Sequence, residues 1–318
     1  MFRSVVVLSL VLFPLCSARA EYPDKPVRMV VPQAPGSATD NFARLIAPEL
    51  GKRLGQPVVV DNRPGGALTI GIDAVAKAAP DGYTIGLGPV GALAITRHMV
   101  AKLPYDIERD LQPVILLQTT YMMLAVSPSL PVHSVQELID YAKKNPGKLS
   151  NASSSNGSPG HVSGELFKSM TGTDIVHVPY RGGASAIADL VAGNVQLMFE
   201  SSNSMGPHVK AGRVRGLAVT GPRRSKAFPD LPTVGETVPG YEVEAWSGLI
   251  APAGLPGPIL DKLNTAANVA LQAPALQARL ADLGSEGGGG SPEQFAEVIR
   301  RDSAKWAEVI RRSGAKIE

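Results

Sequence analysis

The sequence predicts an α/β protein made of two similar α/β domains. Short β-branched runs alternate with amphipathic helical segments, as in strand–helix–strand units around a parallel sheet with right-handed crossovers. The order loop, helix, strand, Arg-bearing Gly-Gly loop occurs twice, once from Pro35 to Gly66 and once from Pro159 to Gly183. The 318 residues suit about two domains of ~150 residues and need no disulfide or metal staple.

Val27 to Val31 reads as the first strand. Thr39 to Leu54 follows as a helix with Phe42, Leu45, Ile46, Leu50 and Leu54 on one face. Val58–Val60, a helix over Ile70–Ala79 and Tyr83–Leu87 complete the first unit. Met122–Val126 resumes the pattern. Ser134 caps the next helix, with Glu137 at capping-box spacing. Leu149–Ala152, Ile175–Val178, Val195–Phe199 and Leu217–Val219 read as strands with helices between them. After Trp246 the chain is expected to be mostly helical, and Gly287–Gly290 reads as a flexible turn between helices. Phe295, Val298, Ile299, Asp302, Trp306, Val309 and Ile310 recur at helical spacing and form a core-facing stripe.

The balance of 31 basic and 28 acidic residues, a net +3, excludes a generally basic nucleic-acid binder. Residues 1–20 read as a signal peptide. Arg3 lies in a short positive start, an apolar run extends from Ser4 to Cys16, and Ala18-Arg19-Ala20 fits the cleavage pattern. Removing that segment takes away the single cysteine, and the loss of Arg3 and Arg19 brings the charge to +1. The expected location is extracytoplasmic, and the working protein relies on its core instead of disulfides.

The loop Gln33 to Asp40 joins a strand to a helix. Free N–H groups at a helix start attract anions, Gly36 lets a ligand approach, and Ser37 and Thr39 can donate. An ordinary capped helix, with Asp40 favouring its positive end, is the alternative. The matching loop, Asn151 to His161, is dense in hydroxyls and amides; it reads as a binding loop or a flexible link. Arg63 and Arg181 precede the two Gly-Gly turns. Each could clamp a carboxylate or pin loop carbonyls.

Other motifs carry less. Gly86-Leu87-Gly88-Pro89-Val90-Gly91 matches a dinucleotide fingerprint, but Pro89 removes a donor and the acidic partner is missing. Asn156-Gly157-Ser158-Pro159-Gly160 resembles a nucleophile elbow, with Pro159 where an oxyanion donor should stand. His161 and Glu165, four apart, are too few ligands for a metal. No cofactor or metal is expected. Sugar binding is disfavoured, because sugars are commonly held by stacking and aromatics make up only 5% of the chain.

Taken together, Tyr22-Pro23-Asp24-Lys25-Pro26, Pro35-Gly36-Ser37-Ala38-Thr39-Asp40, Asn62-Arg63-Pro64-Gly65-Gly66, Pro80-Asp81-Gly82-Tyr83-Thr84, Leu103-Pro104-Tyr105-Asp106, Gly157-Ser158-Pro159-Gly160-His161, Val178-Pro179-Tyr180-Arg181-Gly182-Gly183 and Trp246-Ser247-Gly248 resemble the Bug receptors. These are periplasmic solute-binding proteins of tripartite tricarboxylate transporters, and the resemblance covers essentially the whole chain after residue 20. It implies a periplasmic-binding-protein clam shell whose domains are joined by two crossover strands near Val114–Gln118 and Val243–Trp246. Residues 21–116 with 246–318 would form one domain and 117–245 the other.

The resemblance further implies a small carboxylate-bearing ligand held by amides, hydroxyls and waters in the cleft. The first domain would contribute Ala34, Pro35, Gly36, Ser37, Thr39 and Asp40, the turn Gly65-Gly66, and the strand end Gly88-Pro89. The second would contribute Ser153, Ser154, Ser155, Asn156, Ser158, Gly160 and His161, the turn Tyr180-Arg181-Gly182-Gly183, and the strand end at Glu200. Partners would be integral membrane transporter subunits, with the receptor itself a monomer. Two departures stand out: Ser37 replaces a common glycine, and Gly88-Pro89-Val90-Gly91-Ala92 is apolar where Thr or Ser is frequent. Ser37 would add a side-chain donor and restrict the backbone, and the small apolar Gly88–Ala92 would make room for a bulkier or more apolar carboxylate. The alternatives are an exported α/β hydrolase using Ser158 and His161, or a ligand receptor for a membrane sensor.

Overall fold

The computed structural model describes residues 21–313; the segment read as a signal peptide lies outside the described residues. The first subdomain runs β1 (Val27–Val31), α1 (Ala38–Leu54), β2 (Val58–Asn62), α2 (Thr69–Ala76) and β3 (Thr84–Pro89). The short helix α3 (Ile107–Asp110) leads into β4 (Leu111–Val126). The second subdomain follows with α4 (Val135–Lys144), β5 (Leu149–Ser153), α5 (Pro159–Thr171), β6 (Ile175–Pro179) and α6 (Gly183–Ala192), then β7 (Leu197–Ser201), α7 (Ser202–Lys210) and β8 (Arg215–Val219). The chain returns through β9 (Glu244–Pro252), α8 (Gly257–Leu271), α9 (Pro274–Asp282), β10 (Ser285–Gly289) and α10 (Pro292–Ser313).

The repeat in the sequence is a repeat in space. β1 pairs in parallel with β2 and β3, and β5 pairs in parallel with β6 and β7. Both units therefore place the loops after their strands on the carboxyl-terminal sheet edge, where open α/β sheets bind ligands. Ser37 and Ser158 cap the corresponding helices α1 and α5, which end on the left-handed glycines Gly55 and Gly172.

β4 joins the halves. Residues Leu111–Tyr121 pair antiparallel with β9, whereas Met122–Val126 pair with β7 and β8. The strand joins the expected Met122–Val126 to the crossover expected near Val114–Gln118. Its first part, Leu111–Tyr121, mixes the apolar run Val114–Leu117 with Gln112, Gln118, Thr119 and Thr120 and is mostly buried, so it lacks the alternation of a half-exposed strand. Pro113 is accommodated where the register against β9 slips between Pro113 and Ile115.

After Trp246 the chain is mostly helical, as expected, in α8, α9 and α10, but two strands also belong to it. β9 lies between β3 and β4, and β10 pairs with β4. The glycines taken for a flexible turn belong largely to β10. A side chain at Gly288 would run into the backbone of Leu116, so glycine here permits close strand contact instead of marking a turn.

In the first subdomain, Phe42, Ile46 and Leu50 of α1 and Leu263 and Ala267 of α8 form one core with β1 and β3. Phe167 of α5, Phe199 of β7 and Tyr241 cluster in the second. α10 ties the halves together: it packs on β4, on residues 91–95 and on α5. Its stripe Phe295, Ile299, Trp306, Val309 and Ile310 is buried as expected. Each such fully buried side chain contributes about 1.5–3 kcal/mol.

Candidate ligand-binding site

The carboxyl-edge loops of both subdomains enclose a cleft with two connected chambers. The outer one, about 580 Å³, is walled by Ala34, Gly36 and Ser37, by Pro64, Gly65, Ala67 and Leu68, and from the second subdomain by Ser154, Ser155, Tyr180–Ala184, Glu200 and Ser204. The inner one, about 70 Å³, is walled by Thr39, Pro89–Gly91, Gln118, Thr120, Ser158–Gly160, Glu200–Ser201, Asn203 and Ala245–Ser247, among others. Gln33, Ala38, Leu68, Ser154 and Glu200 line both and form the neck. A shallower depression of about 870 Å³ over α1 and β2 shares no lining residue with this cleft.

In the first loop, Ser37 Oγ accepts from the N–H of Asp40 at 3.2 Å. Ala38 and Thr39, in the first helical turn, have no intrahelical acceptor for their N–H groups, and both wall the inner chamber. The Asp40 carboxylate is turned away from the cleft. It is 2 % exposed and salt-bridged to Arg44, and it accepts from Gly36 N at 2.8 Å and Asn62 Nδ2 at 2.9 Å. Burial alone would raise its pKa, but Arg44, Gly36 and Asn62 together hold it below the usual range. Asp40 is therefore a brace for the loop.

The turn after β2 is left-handed over three residues, with φ of +55°, +51° and +78° at Gly66, Ala67 and Leu68. For the two residues with side chains this costs about 1–2 kcal/mol each, and it sets Leu68 at the neck. Gly66 supports the turn without lining the cleft.

The second loop rests on two stacked imidazoles. His161 and His177 lie 3.8 Å apart between ring centroids and only 4° from parallel. His161 Nδ1 accepts from Gly157 N at 3.2 Å, and His177 Nε2 is 2.7 Å from Ser153 Oγ, which donates to Ser155 O. Burial, opposed by no compensating anion strong enough to offset it, lowers His161 to about 3 and His177 to about 4, so both rings are neutral. Ser158 Oγ caps α5 by accepting from His161 N at 3.3 Å; its hydroxyl and the imidazole are both committed to the loop. Gly160 both lines the inner chamber and abuts the Phe199 carbonyl, where a Cβ has no room.

The two arginines separate. Arg63 Nε donates to Asp61 at 2.9 Å and lies outside the cleft lining, whereas Arg181 lines the outer chamber and forms no ion pair among the described residues. Beside it, the Tyr180 hydroxyl donates to Asp189 at 2.6 Å, and burial with Asp189 raises its pKa to about 12. Glu200 sits at the end of β7, 7 % exposed. It accepts from Ser201 N at 2.8 Å. Burial raises its pKa against the pull of that bond.

The cleft therefore gathers Ala34, Gly36, Ser37, Thr39, Gly65, Pro89, Ser154, Ser155, Ser158, Gly160, Tyr180–Gly183 and Glu200 from the residues singled out in the sequence. Pro35, Asp40, Gly66, Gly88, Ser153, Asn156 and His161 stand outside its lining. Gly88 packs instead against Leu93 and Ile250. Sequence reasoning missed Gln33, Leu68, Gln118, Thr120, Asn203, Ser204 and Trp246. Gln118 carried a usable signal, as an amide directly after the apolar run Val114–Leu117. Its Oε1, like that of Gln33, is buried without a protein partner. Trp246 donates its indole N–H to Asp302 of α10.

Comparison with known proteins agrees with this architecture. The sequence pattern described as tripartite tricarboxylate transporter family receptor matches residues 42–315. Protein BugT of Bordetella pertussis is 37% identical over 299 residues, covering 93% of this chain and 92% of BugT. The structure of Rhodopseudomonas palustris Rpa4515 with adipate superposes with a TM-score of 0.89 at 39% identity, covering 93% of this chain and 100% of that one. MatC from the same organism, with bound malate, gives 0.85 at 33% identity over 91% of this chain and 100% of its own. A fold of two α/β subdomains on a curled mixed sheet is shared with these solved structures, and the chain belongs to the tripartite tricarboxylate transporter receptors, the Bug family of periplasmic solute-binding proteins.

Proposed function

We propose that this receptor captures a small carboxylate between its subdomains and presents the closed form to the membrane subunits of a tripartite tricarboxylate transporter. It is a binding protein, not an enzyme. The observation that carries the reading is the convergence of α1 and α5 first turns, Arg181 and the neck residues on one cleft. Unpaired N–H groups and an unpaired guanidinium together suit a carboxylate. The adipate and malate held by the two relatives are of this class.

In this reading, residues 21–116 with 246–318 and residues 117–245 act as the two jaws, and β4 and β9 carry the hinge. The lining residues named above touch ligand or its waters, while Asp40, Ser153 and His161 hold the loops. Segment 1–20 directs export and is then removed. The protein acts as a monomer toward the transporter.

A thermal-shift screen of mono- and dicarboxylates tests this, since a ligand that binds only the folded state raises the melting temperature. At least one dicarboxylate should stabilise the protein, and calorimetry should show binding without turnover. No stabilisation by any member at about millimolar concentration would refute the reading. Co-purification with membrane transporter subunits checks the partner.

A further inference from the structure

The neck of the cleft holds a carboxyl group where an anion is expected to pass. Glu200 lines both chambers, yet Ser201 alone, through its N–H at 2.8 Å and its side chain, hydrogen-bonds it among the described residues. The backbone of Gly183, at the start of α6, closes over its Oε2; a Cβ there would lie 3.1 Å away.

The neighbours on every side lack a counter-charge. Met123 of β4 pairs with Glu200 across the sheet. Ser154, just after β5, Gly183 of α6 and Ser204 of α7 line the cleft beside it, and Gln33, Ala38 and Leu68 do so from the first subdomain. The other titratable groups lining the cleft are Tyr180, turned to Asp189, and Arg181, both in the outer chamber only. Asp40 is paired with Arg44 behind the first loop, and His161 and His177 are neutral beneath the second. Neither salt bridge nor imidazole therefore holds Glu200 in its charged form.

We propose that Glu200 meets the ligand as a neutral acid, donating its carboxyl proton in a hydrogen bond to a ligand carboxylate oxygen, so that capture of a dianion takes up a proton from solvent. This deepens, and rests on, the carboxylate-binding reading. An ionised Glu200 would set like charges together in a low-dielectric neck, whereas the protonated group supplies the short, charge-assisted bond that an anion prefers. Burial already favours that form in the empty cleft. The receptor thereby favours dianions in mildly acidic surroundings and releases them more readily in alkaline ones.

The experiment is calorimetric titration of the wild-type protein and Glu200→Gln with adipate and with malate, from about pH 6 to about pH 8.5. Two buffers of different ionisation enthalpy report the protons taken up. In this window both ligands are dianions. The wild type should take up close to one proton on the alkaline limb, with Kd weakening by up to about tenfold per pH unit. Glu200→Gln, a neutral donor of similar shape, should show no uptake and a flat Kd. At about pH 8.5 it should bind about tenfold more tightly than the wild type. Wild-type binding without proton uptake, or a variant that loses binding across the window, overturns the proposal and leaves the carboxylate reading standing. If neither protein binds either dianion or any member of the carboxylate panel, the reading itself fails and the proposal with it. The wild-type uptake measurement decides the matter even if the variant does not fold.

Discussion

The stacked imidazoles under the second loop make acid the sharpest probe of that subdomain. His161 and His177 are lowered to about 3 and about 4, mainly by burial, while the unfolded chain titrates near ~6.5. Below about pH 6.5 the unfolded state binds more protons, so stability falls as pH falls. The loss continues until the folded values are reached. At ~1.4 kcal/mol per pH unit, the descent to about pH 5 costs about 2 kcal/mol at His161. It costs about 1–2 kcal/mol at the more exposed His177, for a total near 3–4 kcal/mol. The comparison protein is the double variant H161N/H177Q, which keeps polar groups toward Gly157 N and Ser153 but cannot titrate. Urea unfolding of both proteins at about pH 7 and about pH 5 measures the difference. Carboxylates elsewhere contribute equally to both, so the wild type should lose about 3–4 kcal/mol more than the variant. Equal losses, within about 1 kcal/mol, would refute the assignment of the pair as a buried neutral unit.

Further outcomes follow from the same geometry. Arg181→Ala should weaken carboxylate binding about 10- to 100-fold, the effect of losing one hydrogen bond to a charged group. Arg63→Ala, whose guanidinium is held by Asp61, should change Kd by less than about twofold; calorimetry giving equal losses would contradict the separation of the two turns. Phe295 packs against Trp246, with ring centroids 5.5 Å apart, edge to face. Phe295→Ala should cost about 3–5 kcal/mol and lower the melting temperature by about 10 °C, read by scanning calorimetry. Trp246 lines the inner chamber while Trp306 sits on the buried face of α10, so the ligand-induced fluorescence change should vanish in Trp246→Phe and persist in Trp306→Phe.

Much of the fold was legible because it is local. Ser37, Ser134 and Ser158 do cap their helices, and the repeated loop–helix–strand order became the two parallel units. What escaped is what depends on distant partners. The first eleven residues of β4 show no alternation because they are mostly buried. β10 looked like a turn because its glycines answer to Leu116, far away in sequence. The same division holds at the site. Glycine-rich loops announce themselves, but Gln118, Asn203 and Trp246 reach the inner chamber from β4, α7 and β9, elements that carry no loop signature. Asp40 and His161 were legible as polar residues near a ligand, yet their direction was not. Arg44, Asn62 and Gly36 claim the carboxylate, while Gly157 and His177 claim the imidazole.

The two Arg-bearing Gly-Gly turns occupy equivalent places in the duplicated units but have diverged in employment. In one, Arg63 is tied back to the strand that carries it; in the other, Arg181 is left to the cleft. The neck acid Glu200 belongs to the same unit as Arg181. One half of the molecule is thus a fixed platform of backbone donors, and the other carries the cleft's ionised and ionisable groups. Ligand preference is then a portable property: a graft of residues 154–204 between relatives should carry it across, while β4, β9 and α10, which hold the halves together, stay untouched.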